Sequence, residues 1–177
     1  MVGLKRIAPV ETPESAPRYE LRVHGRRPGD TGYEIWQMPA SATPHITSPT
    51  RVAGLRGRNL ELVEHRVLKK LAQAGVKLGP TQNHERRGYP VTEDLALTLG
   101  LLFRALAPMR SRDRMRAVAE GIEAMGREEA AYWLGMAMHR PYPRRVLTAL
   151  RVLLTEPYRK SVRAVPITGI ERRTHAS

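Results

Sequence analysis

The chain predicts an α+β fold that is mainly α, in which an N-terminal β-hairpin or three-stranded meander leads into a five-helix bundle followed by a flexible basic C-terminal tail. Three observations carry this expectation. Period-two alternation of apolar side chains is confined to the segment before residue 59. From there to residue 157 apolar residues recur every three or four positions. No self-similarity of the kind that marks an α-helical repeat array is present. With 177 residues the chain has the length of one domain. The pattern divides it into a leader over 1–17, a globular unit over 18–157 (β-rich to 58, helical from 59) and a tail over 158–177.

The elements follow in order. Tyr19, Leu21 and Val23 alternate with Glu20, Arg22 and His24, the turn chemistry of RRPGDTG follows, and YEIWQM resumes an extended pattern. After the Ser/Thr/Pro-rich stretch Pro39–Pro49, Arg51–Leu55 offers a third strand before Gly54 and Gly57 break it. Leu60, Val63, Val67, Leu68 and Leu71 then fall at helical spacing, with Asn59 as N-cap and Gly75 as stop. Lys77–Pro90 reads as a loop. Thr92 caps a second helix, apolar on all sides and therefore central, that runs to Pro108 with Glu93 and Asp94 complementing its dipole. Ser111 opens a third, with Met115, Val118, Ile122 and Met125 on one stripe, and Glu128–Met138 forms a short fourth. Pro143 starts the fifth, with Val146, Leu147, Leu150, Leu153 and Leu154 inward and Arg144, Arg145, Thr148 and Arg151 outward.

Charge is the unusual quantity. Thirty basic against 17 acidic residues give +13, and the excess lies in two blocks, +6 over 51–91 and +7 over 139–177, flanking a near-neutral centre. Two basic regions converging on one polyanion would produce this distribution. Arginine also outnumbers lysine 25 to 5, as a GC-rich coding sequence would write it, although coding bias does not explain why acids fail to balance the bases.

Absence of cysteine removes thiolate chemistry and disulfides, and fits a reducing cytoplasm. The first residues lack the apolar core of a secretory signal, and the longest apolar run, Leu95–Leu106, is interrupted by Arg104 and too short to span a bilayer. The six histidines show no metal-binding spacing, and no nucleophile elbow, phosphate loop or dinucleotide turn occurs. Glu61 and His65 stand one helical turn apart on a solvent face, where such a pair is a weak surface interaction. Neither an enzyme nor a cofactor is called for.

Two stretches suggest anion contact. In RVAGLRGRN, residues 51–59, glycines beside Arg51, Arg56 and Arg58 at a helix start give backbone N–H groups access to phosphate, with Gly57 at the turn. Lys69 and Lys70 extend that block along the helix. Arg140, Arg144, Arg145 and Arg151 form the second, with Arg144 and Arg151 two turns apart as a phosphate track. The competing reading of each stretch, a turn or helix face with merely solvated arginines, is the commoner one residue by residue. A helix-turn-helix over Asp113–Arg140 is disfavoured, because Glu128 and Glu129 would lead the recognition helix and Tyr132, Trp133, Met136 and Met138 look like core. Tyr89, Tyr142 and Tyr158 lie near basic residues and would either stack on bases or close loops.

The runs RVAGLRGRNLELVEHRVLKKL and EEAAYWLGMAMHRPYPRRVLTALRVLLTEP resemble an uncharacterised bacterial domain-of-unknown-function family associated with anti-phage gene clusters that encode a DNA methyltransferase and an ATPase. The likeness covers roughly residues 18–157 and implies a DNA-directed accessory role without transferring any catalytic residue. Together these readings lead to the expectation of a non-enzymatic cytoplasmic accessory protein that binds the phosphate backbone of nucleic acid, works beside a protein partner in a larger assembly and has no membrane segment. The alternative is a helical adaptor docking another protein through Glu128–Met138.

Overall fold

The computed structural model describes residues 18–25, 31–39, 48–80, 85–139 and 141–156. The leader, the hairpin turn, the tail and Arg140 fall outside them, as does Tyr158. Four strands and five helices follow in the order β1 (Arg18–His24), β2 (Gly32–Met38), β3 (Thr50–Arg56), α1 (Gly57–Gln73), β4 (Arg86–Val91), α2 (Glu93–Leu106), α3 (Arg112–Glu123), α4 (Arg127–His139) and α5 (Pro143–Thr155).

The sheet is antiparallel throughout, in the spatial order β3-β2-β1-β4. A hairpin or three-stranded meander therefore understates it. The stretch read as a loop from Lys77 contains β4, an edge strand paired with β1 from Tyr19↔Val91 to His24↔Arg86. Gly88 and Pro90 disguise it, yet an edge strand tolerates a proline because one row of its backbone groups needs no partner.

All helices that touch the sheet lie against one face, where Leu21, Val23, Tyr33, Ile35, Val52, Ala53 and Leu55 are buried. α2 touches three strands and each of the other four helices, which explains why its sequence is apolar all round. Thr92 and Ser111 cap α2 and α3 through their hydroxyls, accepting from the backbone N–H groups of Leu95 and Arg114, and Pro143 occupies the first turn of α5. Gly100 allows α2 to approach both β3 and α4, since a Cβ there would lie 3.2 Å from Leu134 and from Val52.

Three local expectations change. Asn59 is not the N-cap of α1: Arg56 holds that position without a side-chain bond. Asn59 instead donates from Nδ2 to the carbonyls of Leu106, Ala107 and Met109, clasping the C-terminal end of α2. Leu68 is 41% exposed rather than inward, and Tyr132, read as core, is 61% exposed, because α4 buries only Ala130, Leu134 and Ala137. Gly75, the expected stop, does sit in the left-handed region at φ 76° just past α1.

Candidate nucleic-acid interface

The strand β3 sets the position of the first basic stretch. Its register against β2 slips by one residue, Ile35 facing Ala53 while Trp36 faces Arg51, so Val52 is the extra residue of a β-bulge. Both Val52 and Ala53 turn toward the helices. Regular alternation would have sent Arg51 toward the helices too, and the bulge moves it to the open face of the sheet. The Val52 carbonyl, released by the bulge, accepts from Arg104 Nε at 2.7 Å. Burial, and then the nearby Arg51 charge, depress the Arg104 pKa.

On the open face Arg51 and Arg56 stand with Arg22, His24, Glu34, Trp36 and Arg86. The carboxylate of Glu34 is the hub: Trp36 Nε1 and His24 Nε2 each donate to one oxygen at 2.9 Å, and Arg51 Nε donates to the other at 3.0 Å. Burial works to raise the Glu34 pKa, but the hydrogen bonds from Trp36 and His24 and the Arg51 charge overcome it, and the net shift is downward. Arg22 lies over the Trp36 ring, 4.4 Å from its centroid.

Gly57 adopts φ 60° and begins α1. Beyond it the chain turns away from the sheet, so Arg58 is separated from Arg56 and lines a different depression. That cleft is formed where the first turns of α1 and α3 meet, and its walls are Arg58, Asn59, Glu61, Leu62, Arg110, Arg112 and Met115. The Gly57 N–H is taken by the Thr31 carbonyl at 3.2 Å, but no acidic residue and no side-chain cap serve the rest of the first turn of α1, so its remaining N–H groups and the positive end of the helix dipole add to the guanidinium charge. Arg110 and Arg112 escaped the sequence reading because their segment also contains seven acids and averages to near neutrality. The run MRSRDRMR was the available signal.

The remaining expected contacts scatter. Lys69 and Lys70 line a shallow groove with His65, Arg66 and Gln73, more than two turns along α1, where Arg66 is already paired with Glu120 and Glu123. Arg144 and Arg145 are exposed at the start of α5, and Arg145 covers the Tyr142 ring at 4.8 Å. Arg151 does not belong to an outward track. It is half-buried and donates from Nε to the carbonyl of Ala105 at 2.8 Å, and burial, then Arg114, lowers its pKa. Glu61 and His65 are both exposed and line different depressions. Tyr89 packs on the helix side of the sheet and accepts from the Gly79 N–H, closing a loop. Among the described residues no group of three or more metal-ligating side chains converges, and no helix is long and apolar enough to cross a membrane.

Fold and surface together define a basic α+β domain with helices on one sheet face, a polar open face on the other and an arginine-lined cleft at one end of the helical layer. The model of a domain of unknown function, DUF7680, matches residues 19–156, and the chain belongs to that family. No curated protein and no solved structure matches it.

Proposed function

We propose that the chain is a non-enzymatic accessory protein that binds the phosphate backbone of nucleic acid. The observation that carries this reading is the cleft in which Arg58, Arg110 and Arg112 surround the uncapped start of α1. None of the three has an acidic partner among the described salt bridges, whereas Arg22, Arg51, Arg66, Arg87 and Arg127 do. Guanidinium groups without a salt-bridge partner, beside a helix start that no side chain caps, suit phosphate oxygens and carry no base-edge specificity. Arg144 and Arg145 add a second exposed contact. The setting in which we place the protein, a bacterial anti-phage assembly beside a DNA methyltransferase and an ATPase, rests on the resemblance of the two segments alone.

The test is the salt dependence of duplex binding. Replacing Arg58, Arg110 and Arg112 by glutamine should flatten the slope of log affinity against log salt by about 0.9 per lost contact, and equally for unrelated sequences. An unchanged slope removes the cleft from the interface. The second reading, an adaptor, is favoured by Tyr132, which is largely exposed and meets Trp133 edge to face at 5.8 Å. Partner capture that resists high salt and is lost in Tyr132→Ala would support it instead.

A further inference from the structure

We propose that the open sheet face holds a separate site for a phosphate monoester, in the pocket where Arg51, Arg56 and Arg86 surround His24 and Glu34. Gly32, Tyr33 and Leu55 complete its walls. Antiparallel register creates the row: Arg56 faces Gly32 across β3 and β2, Gly32 faces His24 across β2 and β1, and His24 faces Arg86 across β1 and β4. Gly32, lacking a side chain, leaves a gap in the middle of that row between two guanidinium-bearing edges.

The charge inside the pocket is unbalanced. Glu34 is its one carboxylate, and Arg51, Trp36 and His24 already occupy it. Arg86 Nε–H donates to His24 Nδ1 at 3.0 Å, which leaves Nδ1 without a proton and makes Nε2–H the donor to Glu34. The imidazole, which carries no negative charge, therefore holds Arg86 in place without cancelling its charge. Arg56 has no acidic partner among the described residues. Two uncompensated guanidinium groups on opposite rims match a dianion, and the fork of each suits tetrahedral oxygens.

The arrangement is built rather than a loose surface. A Cβ on Gly54 would collide with the Arg51 guanidinium, so the absence of one is what lets Arg51 lie flat toward Glu34. Gly88 does the same for Glu20, which receives Arg22 Nε at 2.9 Å. Base stacking is not what this face offers, because Arg22 already covers the Trp36 ring. Nor is turnover, because both nitrogens of His24 are engaged. The pocket recognises the phosphate group itself, whether from a small phosphorylated molecule or from the phosphorylated end of a strand, and it is independent of the α1–α3 cleft.

Titration of the full chain with inorganic phosphate at low salt, followed by calorimetry, tests it. Saturable one-to-one binding is expected, weakened at least tenfold in Arg86→Gln and in Arg56→Gln and unchanged in a control carrying Arg58→Gln and Arg112→Gln. A 5′-phosphorylated oligonucleotide binding more tightly than its 5′-hydroxyl twin, with the difference abolished by Arg86→Gln, assigns the strand end as ligand, and equal binding of the twins beside retained phosphate binding assigns a small molecule. Absence of saturable phosphate binding, or binding indifferent to both sheet variants while circular dichroism shows them folded, overturns the site. Loss of 5′-hydroxyl duplex binding only in the control variant leaves the pocket standing and reports on the cleft.

Discussion

Asn59→Ala should loosen the joint between α1 and α2 by an amount that can be worked out from its three contacts. The Nδ2 group has two hydrogens and meets the carbonyls of Leu106, Ala107 and Met109 at 2.9, 3.1 and 3.0 Å, so two full hydrogen bonds are shared among three acceptors. A net hydrogen bond stabilises by roughly 0.5–1.5 kcal/mol. Leu106 keeps the bond from the Met109 N–H, and Ala107, exposed, and Met109, partly exposed, are open to water in place of the donor, so no carbonyl is left wholly stranded. Two bonds therefore contribute about 2 kcal/mol, and the better helix propensity of alanine returns about 0.6 kcal/mol. The expected loss is about 1.5 kcal/mol, or a melting temperature lower by about 6 °C at roughly 4 °C per kcal/mol for a domain of this size. Asn59→Asp separates the two forces at this position. The α1 dipole favours an acid in its first turn by about 0.3–1 kcal/mol, but a carboxylate has no proton to donate and faces three carbonyl oxygens. Urea denaturation should place Asp below Ala. A variant Ala protein within about 0.5 kcal/mol of the parent, or an Asp protein more stable than the Ala one, would refute the clasp.

Arg151→Gln should cost about 1–2 kcal/mol in the same assay, since a charge-assisted bond to the Ala105 carbonyl is lost, whereas Arg144→Gln and Arg145→Gln should stay within about 0.5 kcal/mol. Gly100→Val should overpack the junction of α2 with Val52 and Leu134 and lower stability by about 1–3 kcal/mol by thermal denaturation. The depressed pKa of Glu34 stabilises the fold above its ordinary value of 4.5, and that contribution disappears as pH falls through the lower folded-state value. Urea midpoints at pH 6 and pH 3 should therefore differ more in the parent than in Glu34→Gln, and equal differences would show that the network contributes no acid sensitivity.

The helices were legible because their ends are written locally. Thr92, Ser111 and Pro143 mark boundaries by their own chemistry, and the apolar surround of α2 announces its central place. β4 was not legible: RRGYPV offers two alternating apolar residues, Tyr89 and Val91, between turn formers, and its partner β1 lies far back in the chain. The face of Arg51 was equally hidden, because a bulge shifts register without leaving a period in the sequence. Arg151 misled because helical spacing assigns a side to the Cα, while a long side chain can bend back to a neighbouring helix end. The cleft was half visible, Arg58 from its glycine-flanked helix start and Arg110 and Arg112 concealed by averaging over acids.

The placement of β4 also fixes an order of construction. β1, β2 and β3 follow one another in the chain and can pair by neighbouring hairpins, but Leu21 meets Tyr89 only after all of α1 has been made. Closing that distant contact costs loop entropy that the local ladders do not incur. During synthesis the outer side of β1 consequently stands open, a row of unpaired backbone groups available to any other extended chain, until residue 91 leaves the ribosome. A nascent chain halted before Glu85 would retain its meander and α1 yet carry that sticky border, while the finished protein seals it with a strand whose Pro90 has no N–H to offer a further neighbour.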